Sequence, residues 1–188
     1  FEKYLVPTIF GPWSEMMVEH AGTREGHQLL DIGCGSGAAA RFAAKIVGVA
    51  GSVSAIDLNA GMIAHARTLD PGGLIDWDQG DLTDMPYDDG QFDIIVGNQV
   101  LQFLPHKEKG LNEIRRVMAK GGRLALTVYC SPKQNPAHAA VANALKVRGI
   151  DSKGVVHPFS YGDPMVLGDL LQDIGFRDIS VIQKQMNS

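Results

Sequence analysis

The chain has 188 residues, of which 45% are hydrophobic and 20% are charged, and its formal net charge is −4. This length and balance are typical of a globular protein with one sizeable core, and they exclude a chain that is largely disordered. The acidic charge, with no cluster of Lys and Arg, argues against a protein that binds nucleic acid.

The sequence gives no sign of a membrane protein or a metalloprotein. No run of about 18 apolar residues is present, so no transmembrane segment is expected. The two cysteines, Cys34 and Cys130, lie far apart and form no CxxC or related metal-binding pattern. We therefore expect a reduced, cytoplasmic protein without a metal ion.

Strands and helices are predicted to alternate along the chain. Residues 1–25, with prolines at positions 7 and 12, predict two short helical pieces. Short apolar runs predict strands over residues 28–32, 52–56, 74–79, 92–96, 123–129 and 176–183. Helical patterns predict helices over residues 38–47, 60–69, 99–104, 108–118, 137–147 and 164–174. This alternation is typical of a three-layer α/β fold with a doubly wound, mostly parallel sheet.

Local signals predict where several of these elements begin and end. Asn59 is expected to cap the helix that begins at residue 60, and Asp163 the helix that begins with a proline at residue 164. The pair Gly121-Gly122 is expected to end the helix over 108–118. Asp93 is expected to fix the local backbone rather than to contact a ligand.

A glycine-rich loop, Gly33-Cys34-Gly35-Ser36-Gly37, stands between the first strand and the following helix, where a ligand can approach the backbone closely. Gly33, Gly35 and Ala38 match the dinucleotide-binding pattern G-x-G-x-x-[GA], and Asp57 follows at the spacing of a ribose-binding acid. This match alone does not separate a dinucleotide from another nucleoside cofactor. Asp31, however, would repel a pyrophosphate and suits a ligand with a positive charge, such as S-adenosylmethionine.

Taken together, the motifs between residues 29 and 129 resemble those of one family. They comprise residues 29–37, 56–59 with Met62, 80–82, 85–87, 92–93, and 113–117 leading to 121–123. In this order and at these intervals they resemble class I S-adenosylmethionine-dependent methyltransferases, of the type found in ubiquinone and menaquinone biosynthesis. The resemblance implies a Rossmann-like sheet of seven strands in the order 3-2-1-4-5-7-6.

The resemblance also implies a site for S-adenosyl-L-methionine at the carboxyl ends of the strands, with S-adenosyl-L-homocysteine as the product. The glycine loop and Asp31 would hold its methionine part, Asp57 its ribose, and Asp81 the amino group of its adenine. The residues expected to bind the cofactor are Asp31, Gly33, Cys34, Gly35, Gly37, Asp57, Leu58, Met62, Asp81, Leu82, Asn98 and Gln99.

The expected reaction is a direct displacement that carries the methyl group to a small-molecule acceptor. The fourth strand ends in residues 97–100, GNQV, and lacks the Asn/Asp-Pro-Pro-aromatic signature of methyltransferases that act on amino groups of bases or glutamine. No catalytic residue is identified, and the candidates for a general base are His106, Tyr129, His138 and His157. Two alternatives stay open: an NAD(P)-linked oxidoreductase, and a module that binds the cofactor without transferring its methyl group.

One domain is expected to span residues 1–188. Residues 1–27 would form amino-terminal helices or a lid, residues 28–129 the cofactor-binding core, and residues 130–188 the acceptor side with the sixth strand. No segment follows that could form the seventh strand of the implied sheet. Truncation is the favoured explanation, and disorder or a strand supplied by the partner chain of a homodimer are the alternatives.

Overall fold

A computed structural model describes residues 2–3, 5–131, 134–152, 155 and 157–185. The chain forms two compact units. The first consists mainly of Phe1–Val100 and His106–Thr127, and the second of Leu101–Pro105 and Val128–Asn187. The sheet belongs to the first unit. The single domain expected from the sequence stays a prediction.

The first unit is built on a sheet of five parallel strands in the order β3-β2-β1-β4-β5. These strands are β1 (Gln28–Ile32), β2 (Ser52–Asp57), β3 (Asp76–Gln79), β4 (Phe92–Asn98) and β5 (Met118–Thr127). The observed order is that of the first five strands in the implied seven-strand sheet. The doubly wound parallel fold is therefore confirmed.

A helix lies between each pair of strands that follow one another in the chain except β3 and β4, and two further helices belong to the second unit. They are α1 (Gly11–His20), α2 (Ala38–Val47), α3 (Ala60–Thr68), α4 (Lys107–Val117), α5 (Pro136–Val147) and α6 (Pro164–Ile174). A π-helical turn, Val6–Phe10, runs directly into α1, and Phe10 and Gly11 at the junction both have right-handed helical backbone angles. The helical conformation predicted near the amino terminus is confirmed, but the predicted break into two pieces is wrong. No helix among the described residues is long and apolar enough to cross a membrane.

Side-chain caps begin α3 and α6 where the sequence predicted them. The Asn59 side chain accepts hydrogen bonds from the N–H groups of Gly61 at 2.8 Å and Met62 at 3.2 Å. The Asp163 carboxylate likewise accepts one from Met165 N–H at 2.9 Å. These bonds satisfy N–H groups that have no partner within the helix, and they fix where each helix starts.

The core of the first unit lies on the face of the sheet that α1, α2 and α3 cover. Small residues of α2 allow this helix to lie close to the strands. The buried residues of this cluster include Val18, Leu29, Ala40, Ala43, Val53, Ala55, Ile63, Trp77, Ile94 and Val96. Successive side chains of a strand point to opposite faces, so Leu30, Ile56 and Ile95 are buried on the other face of the sheet.

A charged network holds the segment over residues 85–89 against α4. The guanidinium of Arg116 donates hydrogen bonds to the carbonyl groups of Tyr87 at 2.8 Å and Met85 at 3.1 Å. Glu113 accepts one from Met85 N–H at 2.9 Å and pairs with Arg116 at 2.7 Å. The hydrogen bond from Arg116 lowers the pKa of the Glu113 carboxyl. The network therefore joins two motifs that lie far apart in the sequence.

The predicted sixth strand over residues 176–183 is wrong. The segment has no strand conformation, and the apolar side chains of Val181 and Ile182 are exposed. A strand needs a neighbour to satisfy its backbone groups. Within the part of the chain that the structure describes, no strand pairs with this segment.

Two predictions around α4 are also wrong. A helix was expected over residues 99–104, but only a 3₁₀ turn, Leu101–Phe103, forms there. The helix α4 ends at Val117, within one residue of the expected end, but Gly121-Gly122 does not end it: Met118 takes an extended conformation and pairs with Phe92 of β4, and the glycine pair lies within β5. In the third strand, the carboxylate of Asp70 binds the N–H groups of residues 74 and 75, so β3 begins two residues later than expected.

Candidate functional site

The glycine loop joins β1 to α2 through three residues in the left-handed region, with φ of 60° at Gly33, 55° at Gly35 and 82° at Gly37. A Cβ atom added at Gly33 would overlap the side chain of Val100, and one added at Gly37 would overlap the ring of Trp77. At Gly35 no described atom lies within 4 Å of the added Cβ. Two of these glycines therefore allow close packing, while the third borders open space that a ligand can enter.

Asp31 lies at the end of β1, and its carboxylate reaches into the first turn of α2. Its Oδ2 atom accepts a hydrogen bond from Ala40 N–H at 3.0 Å, and the side chain is only 1% exposed. Burial and, to a smaller extent, the nearby Asp57 raise the pKa of this carboxyl to about 7, against the opposing effects of the hydrogen bond from Ala40 and of Arg41. A positive charge placed beside Asp31 would favour its ionised form.

Asp57, at the end of β2, ties the glycine loop to the start of α3. Its Oδ2 atom accepts a hydrogen bond from Gly35 N–H and its Oδ1 atom one from Asn59 N–H, each at 2.8 Å. The side chain remains half-buried. Each carboxylate oxygen can accept further hydrogen bonds, so the group can bind hydroxyls while it holds the loop.

Cys34 lies within the loop and binds it to β2 through a hydrogen bond from its N–H to the carbonyl of Ile56 at 3.1 Å. Burial raises the pKa of its thiol, and the neighbouring carboxylates of Asp31 and Asp57 raise it further. The side chain therefore stays a neutral thiol, which suits a contact with an apolar or weakly polar part of a ligand.

Apolar side chains follow β2 and β3 at the carboxyl edge of the sheet. Leu58, directly after Asp57, is 69% exposed, whereas Met62 is half-buried in the first turn of α3. Leu82 is buried. Asp81 beside it is exposed, and a hydrogen bond from Thr83 N–H at 2.8 Å lowers the pKa of its carboxyl. The edge thus offers an apolar surface next to an ionised acceptor.

Asn98 and Gln99 lie at the carboxyl end of β4. The Asn98 amide donates hydrogen bonds to the Phe10 carbonyl at 3.2 Å and to the Ser14 hydroxyl at 2.9 Å. Gln99 has a positive φ of 58°, which is uncommon for a residue other than glycine. Asn98 therefore connects the sheet to α1, and Gln99 marks a strained turn next to it.

Four of the residues predicted from the sequence to bind a cofactor thus form one group in the structure. Asp57 binds Gly35, and Cys34 lies between that glycine and Gly33. Among the described residues, Asp81 is bonded to Thr83 instead, and Asn98 to Phe10, Ser14 and Thr127. Asp81 and Asn98 share with the group its position at the carboxyl edge of a parallel sheet, where ligands of such folds bind.

Arg41 is a further charged residue at the loop that the sequence did not single out. Its guanidinium donates a hydrogen bond to the Ser36 carbonyl and pairs with Glu2 at 2.9 Å. A basic residue one turn into the helix after a glycine loop could have signalled this position, because helical side chains point back toward the amino terminus. Arg41 places positive charge beside the loop.

The candidates for a general base fall in both units. His106 precedes α4 in the first unit. In the second unit, the ring of Tyr129 lies 5.2 Å from that of Phe159, and burial raises the pKa of Tyr129. His157 lies 6.4 Å from the ring of Phe103. The side chain of His138 lies outside the described residues, and a role for any of these groups stays a prediction.

A match to known proteins decides the family. Residues 30–126, which are just over half of the chain, match the family described as a methyltransferase domain. The chain belongs to this methyltransferase family. The family that the motifs indicated is thereby confirmed, and the dinucleotide-dependent alternative is not favoured.

Two curated relatives of this methyltransferase domain carry the name ubiquinone/menaquinone biosynthesis C-methyltransferase. The protein from Ectopseudomonas mendocina is 35% identical over 133 residues, 69% of this chain and 52% of the relative. The protein from Pseudomonas aeruginosa is 32% identical over 127 residues, 65% of this chain and 50% of the relative. The chain therefore spans about half the length of these relatives.

A solved structure supports the fold of the methyltransferase domain. The crystal structure of a SAM-dependent methyltransferase from Aquifex aeolicus aligns with a TM-score of 0.69 and 23% sequence identity. The alignment covers 87% of this chain and 79% of that protein. At this identity the likeness shows a shared fold.

Proposed function

We propose that this domain binds S-adenosyl-L-methionine at the carboxyl ends of β1 and β2 and transfers its methyl group to a small-molecule acceptor. The observation that supports this most is the buried carboxylate of Asp31, bonded to Ala40 N–H at the amino end of α2. That position would receive a phosphate in a dinucleotide-binding loop, and a negative charge there repels phosphate. It attracts the ammonium of an amino acid.

The remaining groups fit the other parts of the same cofactor. Asp57 is placed to accept hydrogen bonds from the two ribose hydroxyls, and Leu58 offers an apolar surface to the adenine. Asp81 is an ionised acceptor for the adenine amino group. Arg41, which pairs with Glu2 and bonds to the Ser36 carbonyl, lies beside the loop where the carboxylate of the methionine part would be. The open space at Gly35 admits the ligand beside the backbone.

Methyl transfer needs little from the protein beyond binding and orientation. The bound cofactor supplies a methyl group on a sulfonium sulfur, which is a good leaving group. The residues of the site fix the cofactor in position, so the acceptor needs only to be held in line with its methyl group and shielded from water. A general base is required only if the acceptor must lose a proton.

Calorimetric titration with S-adenosyl-L-homocysteine and with NAD tests the cofactor assignment. We expect saturable one-to-one binding of S-adenosyl-L-homocysteine and no binding of NAD, because Asp31 excludes the diphosphate. Binding of NAD in competition with S-adenosyl-L-homocysteine would contradict the assignment. A screen of small-molecule acceptors with methyl-labelled cofactor then tests transfer, and labelled product from none of them would favour a module that only binds.

Alanine substitutions at Gly35 and Gly37 are expected to separate cofactor binding from stability. Gly37→Ala combines a positive φ with overlap of the buried Trp77 ring, so it is expected to lower the free energy of unfolding by about 3 kcal/mol. Gly35→Ala meets open space and is expected to cost about 1 kcal/mol through its φ alone. Its methyl group nevertheless enters the proposed cofactor space, so binding is expected to fall sharply.

Thermal unfolding and calorimetry on both variants check this pair. Each variant is the control for the other, since both add one methyl group to the same loop at a positive φ. If the two variants were equally destabilised and also bound the cofactor with equal affinity to each other, Gly35 would not border the ligand.

The acceptor class, a homodimer and a cytoplasmic location stay proposals. The names of the two curated relatives point to a carbon acceptor in quinone biosynthesis, and that class of small molecule is the first to include in the screen.

A further inference from the structure

Thr127, the last residue of β5, bonds to Asn98, the last residue of β4, and to Gln99, which follows it. Its hydroxyl donates a hydrogen bond to Asn98 Oδ1 at 2.5 Å. The same oxygen accepts bonds from Gln99 N–H at 3.2 Å and from the Gln99 side-chain amide at 3.4 Å. A hydroxyl has one donor hydrogen and two acceptor lone pairs, so these three bonds use its full capacity.

The bonds to Gln99 support a backbone conformation that is otherwise unfavourable. Gln99 has a φ of 58°, and its N–H also donates to the Thr127 carbonyl at 3.1 Å. The next residue, Val100, fills the space where Gly33 lacks a side chain. The turn that Thr127 holds therefore forms part of the surface against which the glycine loop packs.

The bond to Asn98 orients a second connection. With its oxygen held by Thr127, the Asn98 amide presents its N–H groups to the Phe10 carbonyl and the hydroxyl of the buried Ser14. A continuous series of hydrogen bonds thus runs from β5 through the end of β4 to α1. All of these residues belong to the first unit.

We propose that Thr127 is a positioning residue for the cofactor site. Its hydroxyl holds Gln99 in the left-handed turn and fixes the Asn98 amide toward α1, so that the end of β4 is preformed beside the glycine loop. This inference rests on the proposed function, because it assumes that the cofactor binds at this edge of the sheet.

A purely structural explanation exists and makes a different prediction. Threonine is favoured in strands because it is β-branched, and valine has the same shape and the same preference. If shape alone mattered at position 127, valine would serve as well as threonine. Thr127→Val removes only the hydroxyl, whereas Thr127→Ser keeps it, and the two together isolate the hydrogen bonds.

The experiment measures binding of S-adenosyl-L-homocysteine by calorimetry for the intact chain and its variants. Thr127→Val is expected to raise the Kd about tenfold, and Thr127→Ser to stay within about twofold of the wild type. The matched control is Thr68→Val, which removes a hydroxyl bonded to the His65 carbonyl at the exposed end of α3. This control is expected to leave the Kd unchanged.

Hydrogen exchange gives a second readout in the absence of ligand. In Thr127→Val, the amides of α1 and of Gln99 are expected to exchange faster, while those of α3 keep the wild-type rate. Should the valine variant fail to fold, Ser14→Ala interrupts the same series of bonds at its far end. That variant is expected to weaken binding about threefold and to speed exchange in α1.

The outcomes separate the two levels of inference. Wild-type affinity in Thr127→Val, or in Ser14→Ala if the former does not fold, overturns the positioning role and leaves the cofactor assignment intact. A wild-type chain that binds no S-adenosyl-L-homocysteine overturns the assignment itself. Equal weakening by Thr127→Val and Thr127→Ser also overturns the role, because the serine retains the hydroxyl.

Discussion

Asp31→Asn is expected to make the ligand-free protein more stable and to abolish most of its cofactor affinity. Burial raises the pKa of the Asp31 carboxyl from 3.8 to about 7. Between these values the folded chain holds a proton that the unfolded chain has released, so stability falls as the pH rises from about 4 to about 7. Asparagine carries no charge and can still accept the bond from Ala40 N–H, so it avoids this loss.

The stability effect is expected to depend on pH in a defined direction. At pH 8 the variant is expected to exceed the wild type in free energy of unfolding by about 1–3 kcal/mol. At pH 5, where Asp31 is protonated in the folded protein, the two are expected to be nearly equal. Thermal unfolding at both pH values checks this, and a less stable variant at pH 8 would contradict the burial of an ionised carboxyl.

Binding is expected to change in the opposite sense. Loss of the charge-assisted contact with the ammonium is expected to raise the Kd for S-adenosyl-L-homocysteine about 30-fold to 100-fold near neutral pH. In the wild type, affinity is expected to fall below about pH 7 as Asp31 takes up a proton. The acid limb is expected to vanish in Asp31→Asn, and calorimetry from pH 6 to 9 measures it.

Asp57→Ala is expected to have the second large effect, on cofactor affinity first and on stability second. The substitution removes the proposed acceptor of the ribose hydroxyls, a loss of about 2–3 kcal/mol of binding free energy, or roughly 30-fold to 150-fold in Kd. It also leaves the N–H groups of Gly35 and Asn59 without their carboxylate partner. The free energy of unfolding is expected to fall by about 1–2 kcal/mol for that reason.

A matched variant controls for the loss of one negative charge. Asp76 is exposed at the opposite, amino-terminal end of β3, so Asp76→Ala removes the same charge from the same sheet without touching the proposed site. Calorimetry with S-adenosyl-L-homocysteine compares the two variants. An affinity of Asp57→Ala equal to that of Asp76→Ala would refute the ribose assignment.

The glycine loop and the strand order could be predicted because their signals are local. A short apolar run, a glycine cluster and an alanine-rich helix occupy consecutive positions, and each restricts the backbone by itself. The caps at Asn59 and Asp163 are local in the same way, since donor and acceptor lie within three residues. Asp93 binds backbone as predicted, but that backbone is not local, because its carboxylate accepts a hydrogen bond at 2.9 Å from the N–H of Gln28, 65 positions away in the sequence.

The failed predictions share a different cause. The segment 176–183 has the composition of a strand, yet composition does not supply a neighbouring strand. Gly121-Gly122 is a good helix stop, but pairing between Met118 and Phe92 ends α4 earlier. In both cases a contact with a distant part of the chain, or its absence, outweighs the local preference.

The sequence by itself determined the family, the parallel sheet and the residues at its carboxyl edge, because motifs in a fixed order constrain the backbone locally. Only the tertiary structure decided what those residues do to one another. The burial that raises the pKa of Asp31 comes from elements packed around it, and the bonds from Asn98 to Thr127 and Ser14 span 29 and 84 positions. Such contacts form only when the chain is folded, since no local pattern fixes which distant side chains meet.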